Sequence, residues 1–349
     1  MNLDEVIRLL GRIIEIPSFS TGEQRVASLI EEVIRQHGHA PQRKGNNVWV
    51  RAHGFSPDKP TILLDAHLDT VKPSGEWLTD PFTPVERDGK ITGLGSNDDG
   101  ASLVSLLAVF LRLACRERPY NLIFSTSAEE ENTGEWGIQS ILPELGRVDL
   151  AIIGEPTGMH PAIAEKGLMV LDCVARGVAG HAARDEGVNA IHAALPDIAW
   201  FRDYRFARVS PLLGPVKMTV TVVSAGSLHN VVPAECRFVV DTRVNELYAN
   251  EEVLDVIRRH VACEVTPRST RLRSSSIDRS HPVVRRCEAL GRVPYGSPTT
   301  SNQVVIPYTS VKIGPGDSSR SHTANEYILV DEIREGIEIY EKMLNNLIL

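Results

Sequence analysis

In Asp65-Ala66-His67-Leu68-Asp69 an imidazole and a carboxylate stand two residues apart, directly after the apolar run Ile62 to Leu64. Such a run reads as a buried strand, and residues two apart in an extended chain project to the same side. His67 and Asp69 can therefore face one way from a rigid strand end. That arrangement suits a metal, because a ligating imidazole needs its second nitrogen held by an acceptor and Asp69 supplies one. Further along, Gly93-Leu94-Gly95-Ser96-Asn97-Asp98-Asp99-Gly100 forms a glycine-bounded turn with two carboxylates just before a helical pattern. Taken singly, a His-x-Asp pair is common and an Asp before a helix is an ordinary N-cap. The repetition of the pattern along the chain gives it weight.

The strand Asn121 to Ser127 runs into Glu129-Glu130-Glu131, and the strand Ala151 to Gly154 ends in Glu155. Three strands thus end in His or carboxylate groups, as expected for an α/β sheet whose site lies beyond the carboxyl ends of its strands. A late loop, Gly314 to His322, presents another histidine. Two imidazoles and three carboxylates can hold two zinc or cobalt ions if one carboxylate bridges them, and a remaining acidic residue is then free to act as general base.

The elements that must position these groups follow from periodicity. Val6, Leu9, Leu10, Ile13 and Ile14 predict a first amphipathic helix. Thr21-Gly22-Glu23-Gln24 has capping-box form before a second. Leu103 to Leu111 predicts a buried helix whose N-terminal end favours an ionised Asp98. Ile138 to Leu145 reads as a helix. After about Ala162 the pattern changes: strands at Leu168 to Ala175, Lys217 to Val223 and Arg237 to Arg243 alternate with helices at His181 to Trp200 and Glu251 to Val261. This describes an inserted α+β domain over 163–274, with a polar return linker from Thr266 to Arg279. The α/β pattern resumes to the end, so 1–162 and 275–349 form the other domain.

A chain of 349 residues, 42% hydrophobic and 23% charged, has ordinary globular composition, and its net charge of -8 argues against broad nucleic-acid binding. Five cysteines without a CxxC pair read as reduced thiols. With no basic leader and no apolar run long enough for a bilayer, the expectation is a cytoplasmic protein.

His67-Leu68-Asp69-Thr70, the turn ending at Asp98, the paired glutamates, Gly154-Glu155-Pro156-Thr157, Gly180-His181-Ala182-Ala183, Asn230-Val231-Val232-Pro233 and His322 occur in one order. In this the chain resembles the co-catalytic zinc aminoacylase and carboxypeptidase family, in its acetylornithine deacetylase and succinyl-diaminopimelate desuccinylase branch. The resemblance implies a zinc-peptidase-like catalytic domain, a mixed sheet flanked by helices, with the inserted domain as lid and homodimer contact. It further implies that His67 and Glu155 bind one metal, Glu131 and His322 the other, and that Asp98 bridges. Asp69 would orient His67, and Glu130 would accept the proton of the attacking water. Glu129 with Glu130 is the alternative register. His181 would assist the oxyanion, while Asn230 and Arg243 would hold substrate, although Arg243 is also placed to pair with Asp241. Two departures from the family pattern, Leu94 in place of Arg and Ser301-Asn302 in place of Ser-Asp, touch the substrate side.

The function implied is removal of an acetyl or succinyl group from an N-acyl amino acid such as ornithine or citrulline, in arginine synthesis. The rivals are a dipeptidase or aminopeptidase of the same family and a non-catalytic metal-binding protein of the same fold. A nucleotide site at Gly93-Leu94-Gly95 is disfavoured by the acidic residues that follow, which repel phosphate.

Overall fold

A computed structural model describes residues 1–184 and 186–349. The chain divides into two compact units, one of 1–163, 276–295 and 301–349, the other of 164–275 and 296–300. The short segment 296–300 groups with the second unit, whereas the sequence reading placed it in the first. Gly296 lies against the Leu212 carbonyl, so closely that a Cβ there would clash.

In the first unit, β1 (Gln42–Lys44), β2 (Asn47–Arg51), β3 (Thr61–His67), β4 (Val85–Arg87), β5 (Lys90–Thr92), β6 (Asn121–Ser127) and β7 (Leu150–Ile153) appear in chain order. A mixed sheet runs β1, β2, β6, β3, β7 and then Ser310–Lys312. The four strands from β6 to Ser310–Lys312 are parallel, while β1 and β2 join antiparallel at one edge. Parallel strands covered on both faces read as continuous apolar runs, and Ile62, Leu63 and Leu64 are wholly buried. Each such side chain contributes about 1.5–3 kcal/mol of burial.

Helices α1 (Leu3–Ile14), α2 (Gln24–Gln36) and α3 (Ala101–Leu113) cover this sheet with the terminal helix Val330–Leu344. The apolar stripe of α1 is buried as its spacing predicts, and Asn2 with Glu5 forms a capping box at its start. The capping box expected at Thr21 does not form. Glu23 is instead fully buried, accepting from the Thr21 and Glu129 N–H groups and from Asn46. The expected helix over Ile138 to Leu145 divides into a 3-10 turn, Ile138–Ser140, and a short helix, Leu142–Leu145.

The second unit is a four-stranded antiparallel sheet in the order Lys217–Ala225, Glu235–Val244, Gly167–Arg176, Glu264–Pro267. Its core includes Met169, Leu171, Phe201, Phe238, Val240 and Ile257. Two expectations are corrected. The helix expected from His181 begins at Ala190, where the Asn189 side chain accepts from the Ile191 N–H, and Gly180–His181 is a short strand paired with Val231–Val232. The start of the expected linker, Thr266 and Pro267, belongs to an edge strand of the sheet, Glu264–Pro267.

Candidate metal centre

The parallel strands β3, β6 and β7 end on one side, and the polar groups that follow them converge there. His67 closes β3 and is buried. Its Nε2 lies 3.0 Å from Asp98 Oδ1. Its Nδ1 meets the Asp69 carbonyl oxygen at 2.8 Å, with the Asp69 carboxylate farther off at 3.5 Å. Asp69 therefore holds the ring chiefly through its main chain, which differs from the carboxylate contact expected from the sequence. The carboxylate is occupied elsewhere: it accepts from Ser20 Oγ at 2.6 Å and from the N–H groups of Glu130 and Glu131 at 3.0 and 3.1 Å. A proton fixed on Nδ1 leaves Nε2 free as a ligand.

Asp98 sits in the turn Ser96–Gly100, entered through Gly95 at φ 74, where a Cβ would strike the Thr70 side chain. Its Oδ1 faces His67 and its Oδ2 lies 3.7 Å from His322 Nε2. His322 Nε2 is also 3.1 Å from the Glu131 carboxylate. Two sets of donor atoms fall within 4.8 Å of one another: His67, Asp98 and Glu131, and His67, Glu130 and Glu155. Glu129 faces away from both sets. It adopts φ 56, and its Oε2 accepts from the Trp136 N–H at 3.1 Å, over Gly134, where any Cβ would overlap that carboxylate.

Charge in this cluster is unbalanced. Burial first, then the neighbouring carboxylates, push Glu130 and Glu155 well above the usual carboxylate range. Burial and the adjacent Asp98 take Asp99 up to about 8. Against its own burial, contacts with Asp69 and Asp98 raise His67 well above an ordinary imidazole. Contact with Glu131 lifts His322 to about 9. Opposing these, the His67 contact holds Asp98 below the usual carboxylate range despite its burial. Crowded carboxylates with two imidazoles, all facing one another, make a donor set of hard oxygen and nitrogen that fits a pair of divalent cations.

A model of the peptidase family M20/M25/M40 matches residues 63–346. The chain belongs to this family. It is 24% identical to a succinyl-diaminopimelate desuccinylase of Delftia acidovorans over 99% of this chain and 98% of that one. It is 28% identical to an acetylornithine deacetylase of Myxococcus xanthus over 83% and 80%. Among solved structures, a tripeptidase from Staphylococcus aureus superposes with a TM-score of 0.80 at 20% identity, over 99% and 98% of the two chains. A Bacillus subtilis protein described as a dinuclear metal binding peptidase does so with 0.74 at 16%, over 99% of both. These two likenesses establish the fold.

Within this M20/M25/M40 chain, the two departures noted in the sequence have local explanations. Leu94 is buried with 4% exposure, packed as a core side chain. Asn302 donates to Asp65 Oδ2 at 3.0 Å and to Ser127 Oγ at 2.7 Å. An Asp at 302 would set two buried carboxylates against each other, so the amide matches Asp65. The remaining predicted residues lie in the second unit. His181 Nδ1 accepts the Ala183 N–H at 3.1 Å, which leaves Nε2 as the protonated, donating nitrogen. Asn230 is exposed on the paired segment, its carbonyl accepting the Ala182 N–H at 3.0 Å. Arg243 closes a two-bond fork on Asp241, at 2.9 and 3.0 Å, which was the simpler role open to it.

Sequence reasoning missed Glu326 and Glu23. Both are buried carboxylates that bind backbone N–H groups of the site loops. Glu326 lies in no motif, Glu23 entered the sequence reading only as an interior position of the Thr21–Gln24 cap, and acceptance by distant main chain leaves no local signature.

Proposed function

We propose that this protein is a metal-dependent amidohydrolase that removes an acetyl or succinyl group from the nitrogen of an amino acid, with N-acyl ornithine or citrulline as substrate in cytoplasmic arginine synthesis. The observation that carries the reading is the placement of Asp98, one oxygen toward His67 and the other toward His322, with Glu130 half-buried beside them. The names of the Delftia and Myxococcus relatives support the acyl amino acid class. His67 and Glu155 would hold one cation and Glu131 and His322 the other, across Asp98. Zinc or cobalt bound there supplies Lewis acidity toward the scissile carbonyl and toward water.

Glu130 takes the proton of the attacking water and returns it to the departing nitrogen. The donating Nε2 of His181 would stabilise the oxyanion. Asn230 would orient the acyl group, and Arg243 would meet the substrate carboxylate after sharing or releasing Asp241.

The second unit would also carry a homodimer contact. Its edge strand, Lys217–Ala225, exposes Val222 and Val223 to 53% and 56%, and an exposed apolar edge is a template for pairing.

The structural likeness to a tripeptidase favours a second reading, a di- or tripeptidase. A hydrolysis screen of acetyl and succinyl ornithine, citrulline and diaminopimelate, run beside dipeptides and tripeptides with and without chelator, separates the two. Chelator-sensitive cleavage of an acyl amino acid is expected. Cleavage of peptides alone would replace the first reading with the second.

A further inference from the structure

Glu326 makes no hydrogen bond to the side chain of any prospective ligand, yet it grips the turn that presents one of them. It is 2% exposed. Its Oε1 accepts the N–H groups of Asn97 and Asp98, each at 2.9 Å, and its Oε2 accepts that of Gly95 at 3.2 Å. Its carbonyl takes the Gly93 N–H at 3.0 Å. The residue is itself anchored, because the next strand, Tyr327–Leu329, pairs with β5.

The grip is reciprocal. Asn97 Oδ1 accepts the Asp317 N–H at 3.0 Å, and Asn97 Nδ2 donates to the Asp317 carbonyl at 3.1 Å. The turn bearing Asp98 and the loop bearing His322 are thus joined at both ends of the loop. Three converging N–H groups form a small anion-binding concavity, and a carboxylate fills it with charge-assisted bonds. Because one of those N–H groups belongs to Asp98 itself, the carboxylate fixes the backbone from which the Asp98 side chain projects.

We propose that Glu326 is a positioning residue for the metal centre: it sets Asp98 between the two cation positions and locks the Asp98 turn to the His322 loop, so that both ligands are presented as one unit. This rests on the dinuclear reading above. A neutral amide of the same shape would lose the role, since only one of its two heavy atoms accepts and its amino group would confront a backbone N–H.

The test uses the full-length protein stripped with chelator and retitrated with Zn²⁺ or Co²⁺. The variants are Glu326→Gln, Glu326→Asp and, as control, Asp197→Asn. Asp197 caps the N–H groups of Ala262 and Cys263 at 3.0 and 2.8 Å, so it does comparable work in the second unit. The parent should bind two cations per chain. Glu326→Gln should bind at least one of them more than tenfold more weakly, shift the visible spectrum of the Co²⁺ form and lower kcat by tenfold or more with KM little changed. Asp197→Asn should lower the melting temperature yet keep the parent's cation affinities and Co²⁺ spectrum. If Glu326→Gln does not fold, Glu326→Asp decides on the same readouts: weakened cation binding in a folded protein supports the inference. Parent-like affinity and Co²⁺ spectrum in the folded Glu326 variants overturn it, as does failure of both to fold, which would make the residue a general stabiliser. A parent that takes up no cations would remove the dinuclear reading first, and this inference with it.

Discussion

Truncating Asp69 to alanine should damage the catalytic loop before it damages metal binding. The carboxylate is 1% exposed and accepts from Ser20 and from the N–H groups of Glu130 and Glu131. Leaving a buried donor without an acceptor costs about 1–3 kcal/mol. Two stranded N–H groups therefore set a range of about 2–6 kcal/mol, and loop relaxation should bring the loss to about 3 kcal/mol. The main-chain contact to His67 Nδ1 survives the substitution, so the ring keeps its orientation and the first cation keeps its ligand. Glu130, in contrast, loses the anchor of its backbone, and a displacement of about 1 Å at a reacting group costs about 100-fold in rate. Chemical denaturation of the chelator-treated protein reads the first quantity, and steady-state kinetics after metal retitration reads the second. Ser20→Ala is the control, since it removes one hydroxyl and costs about 1 kcal/mol. An Asp69→Ala protein with the parent's denaturation midpoint and a kcat within about threefold would refute the reasoning.

Glu130→Ala should abolish turnover while metal content stays near that of the parent by elemental analysis; substantial residual activity would remove Glu130 from the mechanism. His181→Ala should lower kcat with metals intact, and an unchanged kcat would confine that loop to binding. Asp65 supplies a pH test. Burial, only partly offset by Ser125, Ser127 and Asn302, pushes its carboxyl up to about 6. A carboxyl raised from 3.8 favours the fold in its protonated form, so its contribution is complete below about pH 4 and is lost as pH rises through 6, by about 3 kcal/mol. Asp65→Asn should flatten that decline in the metal-free protein, and an unaltered difference between pH 4 and 7 would count against it. Val222→Lys on the exposed edge strand should shift a dimer toward monomer in analytical ultracentrifugation, and a mass equal to the parent's at every concentration would discard that edge as the contact.

The convergence of the candidate ligands was legible wherever one follows a strand, because an apolar run fixes the direction of the polar residue after it. His67, Glu155 and the glutamates after β6 are of this kind. Which of the three glutamates face the donor cluster was not legible. It depends on Glu129 turning back over Gly134 at positive φ, with Glu23 holding its N–H from another element. The same residue bears on the missing capping box: Glu23 takes the Thr21 N–H, and the helix starts only at Gln24, with Glu23 as its N-cap. At His181 the sequence signal for a helix was real but belonged to Asn189, whose cap begins the helix at Ala190. Asn302 stood out in the sequence as a departure from the family pattern on the substrate side. Its amide is instead the complement of a buried carboxylate 237 residues earlier, a partner visible only in three dimensions.

The insertion between β7 and Ser310–Lys312 has a kinetic consequence during synthesis. Those two strands are neighbours in one parallel sheet, yet the whole second unit is translated between them. Nearly all of that second unit is contiguous, and its antiparallel pairs can close as soon as residues 164–275 have left the ribosome. The sheet of the first unit must wait with an open edge at β7 for more than a hundred further residues, and long-range parallel pairing is intrinsically slow. That waiting edge is where a nascent chain of this design is most exposed to aggregation, and where a chaperone would have most to protect.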